Sequence, residues 1–187
     1  PKPSSAASDV YKRQGGARPK TIVRDEQGEM WIAKFPRRGD SYDRQRVEFA
    51  NLEMARAIGL TVPEVHLTQT HLGAVLLTRR FDRERLPAER GGEPVVARRH
   101  FLSGASLISP SAQIGKRELD GARGKATYSY ARLADVVRRI SSNPVQDLKE
   151  LYARMILNVA VHNTDDHLKN VGFLKDEGAG TYRLSPL

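Results

Sequence analysis

One stretch of eight residues near the end of the sequence concentrates side chains that can do chemistry. Residues 163–170 read Asn-Thr-Asp-Asp-His-Leu-Lys-Asn and supply two carboxylates, an imidazole, an ammonium and two amides. They stand between an apolar segment that ends at His162 and an apolar run that begins at Val171. A solvated loop could have this composition, but loops seldom collect so many groups of this kind. We therefore treat 163–170 as the candidate reactive segment.

Three kinds of chemistry fit this segment, and its residues alone leave all three open. In phosphoryl transfer, an Asp accepts the proton of the attacking hydroxyl, an Asn five positions later holds Mg²⁺, and a Lys neutralises phosphate. The separation of Asp165 and Asn170 matches that pattern of kinase catalytic loops. In metal-assisted hydrolysis, the ligands would be His162, Asp165, Asp166 and His167. The third alternative is a polar turn that only caps a helix.

Phosphoryl transfer also needs a strand lysine for the nucleotide phosphates and a helix glutamate that holds this lysine. Lys34 lies in the apolar strand candidate 31–36, where a charge is costly without a partner. Glu48 lies near the start of the helix candidate that follows. The alternatives are an edge lysine that reaches water and an exposed glutamate near a helix N-terminus.

Two further segments lie where a nucleotide site would need them. Residues 15–20, Gly-Gly-Ala-Arg-Pro-Lys, precede the first strand candidate, and small residues let backbone N–H groups approach phosphates. Residues 79–83, Arg-Arg-Phe-Asp-Arg, end the last strand candidate of the first half, where adenine would bind if two lobes closed on it. The alternatives are a flexible basic tail and a charged strand exit.

Hydrophobic periodicity predicts the elements that must position these residues. The first half reads β-β-α-β-β, with a hairpin over 21–36, a helix over 47–58, and strands over 61–70 and 74–81. Residues 82–113 are predicted to be rich in loops, and a charged linker follows at 116–125. The second half predicts helices over 130–140 and 145–162 and a hairpin of strands 171–174 and 181–184.

Composition narrows the class of protein. The 187 residues carry 31 Lys and Arg against 22 Asp and Glu, a net charge of +9 that suits an anionic partner. The absence of cysteine excludes a disulfide scaffold, a zinc ribbon and a thiol nucleophile. No apolar run approaches the roughly 20 residues that cross a bilayer, and the N-terminus has no signal-peptide pattern. We therefore predict a cytoplasmic protein.

Several blocks occur together in an order that is specific, although each block alone is not. They are GGARPK at 15–20, WIAKFP at 31–36, VEFANLEMARAIGLTVPEV at 47–65, LLTRRFDR at 76–83, YSYARLADVVRRI at 128–140, NTDDHLKNVGFL at 163–174 and RLSPL at 183–187. In these blocks, which cover nearly everything after residue 14, the chain resembles the HipA-like serine/threonine kinases. These are the toxin components of bacterial type II toxin–antitoxin systems.

The resemblance implies a role for each matching residue. Asp165 would be the catalytic base, Lys34 the lysine that binds the ATP phosphates, and Glu48 the helix partner of this lysine. The remaining residues implied to contact ATP form three groups: a phosphate-covering loop of Gly15, Gly16, Ala17, Arg18, Pro19 and Lys20; an adenine-side hinge of Arg79, Arg80 and Phe81, with Asp82 near the ribose; and His167, Leu168, Lys169 and Asn170 of the catalytic loop, where Asn170 would also bind Mg²⁺.

The resemblance also implies the architecture and the partners. The fold would be α+β and bilobal like a protein kinase, with a β-rich small lobe before the beginning of a helical large lobe. Its parts would be a disordered or non-native leader at 1–14, the small lobe at 15–85, a linker at 86–127, and the start of the large lobe at 128–187. The implied cofactors are ATP and Mg²⁺. The implied partners are a protein substrate with Ser or Thr and a DNA-binding antitoxin, with DNA contacted through that complex and no membrane.

Two departures from the family pattern shape these expectations. The family carries a further metal-binding Asp just after the segment that matches RLSPL, whereas this sequence stops at Leu187. We therefore expect a fragment with an incomplete metal site that transfers phosphate weakly. Residues 12–14, Lys-Arg-Gln, stand where family members often have a regulatory Ser, so no autophosphorylation site is implied. The rival hypothesis is a catalytically inactive basic module that binds DNA or an antitoxin, suggested by the charge and by arginines at 79–85 and 98–99.

Overall fold

A computed structural model of the chain describes residues 18–86, 95–108, 129–176 and 180–187. The backbone divides into two compact units. The first unit contains residues up to Phe49 and Glu64–Arg80, and the second contains Ala50–Pro63 and Phe81–Leu187. Within the ranges described, no helix is both long enough and apolar enough to cross a membrane.

The first unit is built on a four-stranded antiparallel sheet. Its strands are β1 (Lys20–Arg24), β2 (Met30–Lys34), β3 (Val65–Thr70) and β4 (Gly73–Arg79), in the spatial order β1-β2-β4-β3. Strand β2 alternates, with Trp31 and Ala33 buried on one face and Lys34 on the other. Strands β1 and β2 pair antiparallel, which confirms the hairpin predicted over 21–36.

Helix α1 (Arg44–Ala57) lies between the two hairpins in sequence, which confirms the predicted β-β-α-β-β order. It begins three residues earlier than its apolar spacing predicts, because Asp43 caps its N-terminus. The Asp43 carboxylate accepts a hydrogen bond from the backbone N–H of Arg46 at 3.0 Å. Gly59 follows the end of the helix and has φ of 84°. This left-handed conformation, which glycine tolerates, terminates the helix.

The prediction of a loop-rich region over 82–113 is wrong for the residues that the structure describes there. They form strands β5 (Arg83–Arg85), β6 (Val96–Arg98) and β7 (Phe101–Ser103) and a short helix α2 (Gly104–Ile108). Strand β5 pairs with β6, whereas β7 pairs with a strand that follows much later in the chain. Each of these elements is short, and the partner of β7 lies far along the chain, where it leaves no local signal. The charged linker predicted at 116–125 lies outside the described residues.

The second unit packs two helices against a three-stranded sheet. Helices α3 (Tyr130–Ile140) and α4 (Pro144–Ala160) are capped by Ser129 and Asn143, and strands β8 (Gly172–Lys175) and β9 (Tyr182–Leu184) join β7 in the order β7-β8-β9. Both predicted helices and the predicted hairpin are thus confirmed. The buried core of this unit consists of Leu133, Val136, Val137, Leu151, Val171, Phe173 and Leu184.

A buried carboxylate joins the helices to the sheet. Asp147, in the first turn of α4, is 1% exposed. It accepts hydrogen bonds from the Ser141 hydroxyl at 2.6 Å, from the Arg183 Nε at 3.0 Å and from the backbone N–H of Leu184 at 3.1 Å. Because a buried charge is costly without partners, these three contacts fix the end of α3, the start of α4 and β9 together.

We expect Asp147→Ala to lower the free energy of unfolding by about 3 kcal/mol, because it leaves a guanidinium, a hydroxyl and a backbone N–H without their acceptor. Asp135→Ala is the matched control, since Asp135 is an exposed aspartate on α3 paired with Arg138. Its loss should stay below about 1 kcal/mol. Urea denaturation followed by circular dichroism measures both, and equal losses would contradict the structural role of Asp147.

Candidate active site

The reactive segment follows α4 after a turn at His162, where the sequence predicts that the helix continues. His162 has φ of 53°, which ends the helix before this residue rather than after it. Asn163 then folds back, and its backbone N–H donates to the carbonyl oxygen of Asn158 at 2.8 Å. The side-chain Oδ1 of Asn163 accepts a hydrogen bond from the backbone N–H of Asp165 at 3.1 Å. The amide of Asn163 therefore sets the backbone position of the candidate catalytic base.

Asp165 presents its carboxylate to solvent, where a substrate hydroxyl could reach it. Its side chain is 89% exposed, and its Oδ1 lies 3.6 Å from Nε2 of His167. Asn170 closes the loop by donating from its Nδ2 to the carbonyl oxygen of Asp165 at 2.7 Å. The two residues whose spacing suggests phosphoryl transfer are thus held side by side.

Asn170 also fits the chemistry of a magnesium ligand. Its Nδ2 is engaged within the loop, so its Oδ1 is the atom that could bind a metal ion. An amide oxygen is a hard ligand of the kind that Mg²⁺ takes, and Mg²⁺ usually adds only one or two protein carboxylates to water and substrate phosphates. The alternative of a metal-dependent hydrolase is not supported, because no three His, Cys, Asp or Glu side chains of the described residues are grouped to hold one ion.

The far end of the loop is anchored by helix α2, which sequence analysis did not predict. The backbone N–H groups of Gly104 and Ala105 donate to the carbonyl oxygens of Val171 at 2.7 Å and Leu168 at 3.1 Å. A side chain at position 104 would not fit, since a Cβ there would lie 3.0 Å from the carbonyl oxygen of Leu168 and 2.8 Å from Leu133. The glycine therefore permits the close approach that fixes the loop.

A tyrosine that sequence analysis also missed contacts the residue after the candidate base. The hydroxyl of Tyr130 donates to Oδ2 of Asp166 at 2.7 Å and accepts from Nδ2 of Asn158 at 3.2 Å. Burial, followed by the hydrogen bond to the Asp166 carboxylate, raises the pKa of Tyr130 to about 12. Tyr130 and Asp166 border a cavity of about 650 Å³, which His167, Leu168 and Lys169 also line.

In the first unit, the Nζ of Lys34 donates to Oε1 of Glu48. The strand places the ammonium on the face opposite Trp31, and the second turn of α1 places the carboxylate. Both side chains are more than a third exposed, so the pair contributes at most about 1 kcal/mol to stability. The pairing holds an ammonium in one place on the sheet, which is the requirement of a phosphate-binding lysine.

The predicted phosphate-covering loop lies partly outside the described residues, since Gly15, Gly16 and Ala17 are not among them. Arg18 pairs with Asp40 at 2.9 Å, and this hydrogen bond lowers the pKa of the Asp40 carboxyl to about 2. The carbonyl oxygen of Pro19 accepts from the backbone N–H of Phe35, and Lys20 starts β1 opposite Lys34. Two predicted phosphate-binding lysines therefore occupy facing positions on neighbouring strands.

The three residues of the predicted hinge and Asp82, predicted to lie near the ribose, differ in their surroundings. Arg79 is engaged by Glu29 at 2.9 Å and Glu64 at 3.4 Å, and the hydrogen bond to Glu29 raises its pKa. Arg80 is buried, and its backbone N–H donates to Met30. In the second unit, the rings of Phe81 and Phe101 lie 6.3 Å apart, and Asp82 accepts from the guanidinium of Arg83 at 2.7 Å. The contacts of Arg79 and Asp82 are with protein groups, so their predicted nucleotide roles stay predictions.

A protein family and known proteins resemble this chain. A model of the family described as HipA-like C-terminal domain matches residues 13–187. The serine/threonine-protein kinase toxin HipA of Shewanella oneidensis is 26% identical over 132 residues, which cover 67% of this chain and 29% of that protein. The chain therefore spans less than a third of the length of this curated relative.

Two solved structures share the fold. In the Shewanella oneidensis complex of HipA, HipB and operator DNA, the similar chain has a TM-score of 0.67 at 20% identity, over 93% of this chain and 42% of that one. The proinflammatory kinase CtkA of Helicobacter pylori gives a TM-score of 0.61 at 16% identity, over 90% of this chain and 52% of the other. These likenesses confirm the predicted α+β, kinase-like fold, while the predicted domain boundaries stay predictions.

We expect Tyr130→Phe to leave the absorbance of ionised tyrosine nearly unchanged at about pH 11, because a pKa of about 12 keeps the Tyr130 hydroxyl protonated there. At about pH 13, where all tyrosines ionise, the variant should lose the contribution of one of the six tyrosines in the sequence. Ultraviolet titration, with circular dichroism to verify folding at the lower pH, makes this measurement. A loss of that full size already at the lower pH would contradict the raised pKa.

Proposed function

The chain belongs to the HipA-like C-terminal domain family, and we propose that it carries nucleotide-binding and catalytic parts of an ATP-dependent serine/threonine protein kinase. The observation that carries this proposal is the ion pair of Lys34 and Glu48 in the first unit. A lysine on a strand, held by a glutamate on the following helix, is a requirement of kinase phosphate binding. The kinase name of the curated relative supports the same function.

In this proposal, Asp165 is the catalytic base. Its exposed carboxylate accepts the proton of a substrate Ser or Thr hydroxyl as that oxygen attacks the γ-phosphate of ATP, and the bond from the γ-phosphorus to the bridging oxygen breaks to release ADP. Asn163 and Asn170 hold the backbone of Asp165 from its N–H and its carbonyl oxygen. The loop thereby keeps the base in place before substrate arrives, which reduces the reorganisation needed for transfer.

Lys34 would supply positive charge that phosphate transfer needs, and the neutral amide of Asn170 would help to hold the Mg²⁺ that supplies more. Lys34 would bind the α- and β-phosphates, together with the Gly-rich segment at 15–20. Asn170 would be one ligand of Mg²⁺ through its Oδ1. When bound, Mg²⁺ neutralises the charge of the phosphates during transfer. Arg79–Asp82 and His167–Lys169 complete the proposed ATP-binding residues.

We also propose an antitoxin partner and a cytoplasmic location. The Shewanella oneidensis structure that shares the fold is a complex of HipA with HipB and operator DNA, which supports a DNA-binding antitoxin as partner and DNA contact through that complex. The charge of +9 is favourable for a nearby polyanion. The substrate protein would present a Ser or Thr to Asp165.

We expect Asp165→Asn in the full-length gene product to lower phosphate transfer at least about a hundredfold, because the amide cannot accept the proton of the hydroxyl. Affinity for ATP should stay within about twofold, because the variant keeps the shape of the side chain and the phosphate-binding lysine. Transfer of labelled γ-phosphate from ATP with Mg²⁺, to the protein itself or to lysate proteins, is the measurement.

The matched control is Asp135→Asn, an exposed aspartate of the same unit, which should transfer at the rate of the unchanged protein. An Asp165→Asn variant that is equally active would exclude Asp165 as the base. A folded full-length protein that transfers no phosphate would favour the rival hypothesis of a basic binding module. Steep salt dependence of DNA binding would then support that hypothesis, because phosphate contacts release counterions.

We expect Lys34→Met to reduce transfer about a hundredfold, because it removes the ammonium that binds the phosphates. Glu48→Gln should produce a smaller loss, since the lysine remains but is no longer held by a charge. The double variant should be no worse than Lys34→Met alone, because both changes affect one interaction. Steady-state kinetics with varied ATP gives these values.

The control for these variants is Lys149→Met, which removes an exposed lysine from α4. Its activity should equal that of the unchanged protein. Losses that add in the double variant would show that Lys34 and Glu48 act independently.

A further inference from the structure

We propose that Tyr130 and Asn158 are positioning residues that hold Asp165 in its reactive place through a chain of side-chain hydrogen bonds. Neither residue belongs to the reactive segment, and neither contacts Asp165 directly. The inference rests on the proposed function, because it assigns the support of the same catalytic loop. All the residues concerned lie in the second unit.

Asn158 makes two hydrogen bonds to the reactive segment and a third to Tyr130. Its backbone carbonyl oxygen accepts the N–H of Asn163 at 2.8 Å, and its Oδ1 accepts Nδ2 of Asn163 at 3.0 Å. Its own Nδ2 donates to the hydroxyl of Tyr130 at 3.2 Å. Asn163, fixed in this way, accepts the backbone N–H of Asp165 at 3.1 Å. One amide on α4 therefore determines where the segment starts and how Asn163 is turned.

Tyr130 holds the segment on the other side of Asp165. Its hydroxyl donates to the carboxylate of Asp166 at 2.7 Å, a charge-assisted hydrogen bond of the stronger kind. The same hydroxyl oxygen accepts from Asn158, so both anchors meet at one atom. Asp165 thus lies between two tethered neighbours, Asn163 and Asp166, while its own carboxylate remains exposed.

Asp165 needs these hydrogen bonds because little else holds it in place. Among the residues described, the carboxylate of Asp165 has only a contact of 3.6 Å with His167, and most of its side chain is in water. The loop around it borders a cavity of about 650 Å³, so packing does not confine this side of it. A base that neither packing nor a direct side-chain bond restrains must be positioned through its backbone. The bonds from Tyr130 and Asn158 provide that restraint.

We expect Tyr130→Phe in the full-length gene product to lower kcat about tenfold, since it removes a charge-assisted bond that orders the loop. The KM for ATP should change less than about twofold, because no group that would bind phosphate is altered. Asp166→Ala removes the acceptor of the same hydrogen bond, so it should also lower kcat with little change in the KM for ATP. Asp166→Asn should be more active than Asp166→Ala, because its amide oxygen still accepts from the tyrosine.

The control is Tyr152→Phe, which removes a hydroxyl from an exposed tyrosine of α4 and should leave kcat unchanged. Thermal unfolding of each variant, followed by circular dichroism, shows that the assays are made on folded protein. The double variant Tyr130→Phe, Asp166→Ala should be no slower than the slower single variant, because both changes break the same bond.

The outcomes separate this inference from the proposed function. If the unchanged protein transfers phosphate and Tyr130→Phe is equally active, the positioning role is overturned and the kinase function stands. The same holds if the losses of kcat in Tyr130→Phe and Asp166→Ala add in the double variant. If KM for ATP rises while kcat is unchanged, the residues act on nucleotide binding and the inference is also wrong. If the unchanged, folded protein transfers no phosphate, the proposed function itself fails.

Discussion

The carboxylate of Asp147 is removed from water, and its charge must therefore be met by groups of the protein. The donors come from the end of α3 and from β9, while Asp147 itself belongs to the first turn of α4. These contacts fix one end of α4 against the sheet. The other end of the same helix carries Asn158 and leads into the reactive segment. The position of the candidate base thus depends on a carboxylate that takes no part in the chemistry.

The elements with a clear period could be predicted from the sequence. Strand β2 alternates between buried and half-buried residues, and helices α3 and α4 carry apolar residues at helical spacing, so each appears close to its predicted place. The strands β5, β6 and β7 and helix α2, of three to five residues each, were not predicted. Their conformation follows from pairing with partners elsewhere in the chain, which sequence periodicity does not register. The equally short β9 was predicted, because an Asp-Glu-Gly-Ala-Gly turn marks its hairpin with β8 in the sequence.

The residues of the candidate site also divide into those that the sequence predicts and those that it does not. Composition points to residues 163–170, and the cost of a charge in an apolar strand points to Lys34, because both signals are local. Gly104, Tyr130 and Asn158 give no such signal. Each is an ordinary residue until the tertiary structure brings it to the loop, where one permits a close approach and two form hydrogen bonds. The sequence carries one weak signal for Gly104, since a glycine beside small residues at 104–106 is compatible with close backbone packing.

The docking of Leu168 and Val171 on the start of α2 has a consequence for how the site assembles. The N–H groups of Gly104 and Ala105 precede the loop by two whole helices of the chain, so this contact is non-local. Helices can form early from local interactions, but the loop becomes ordered only when chain closure brings these distant segments together. The reactive geometry is therefore expected to appear late in folding, after α3 and α4. A chain with both helices formed would then still lack an ordered catalytic loop.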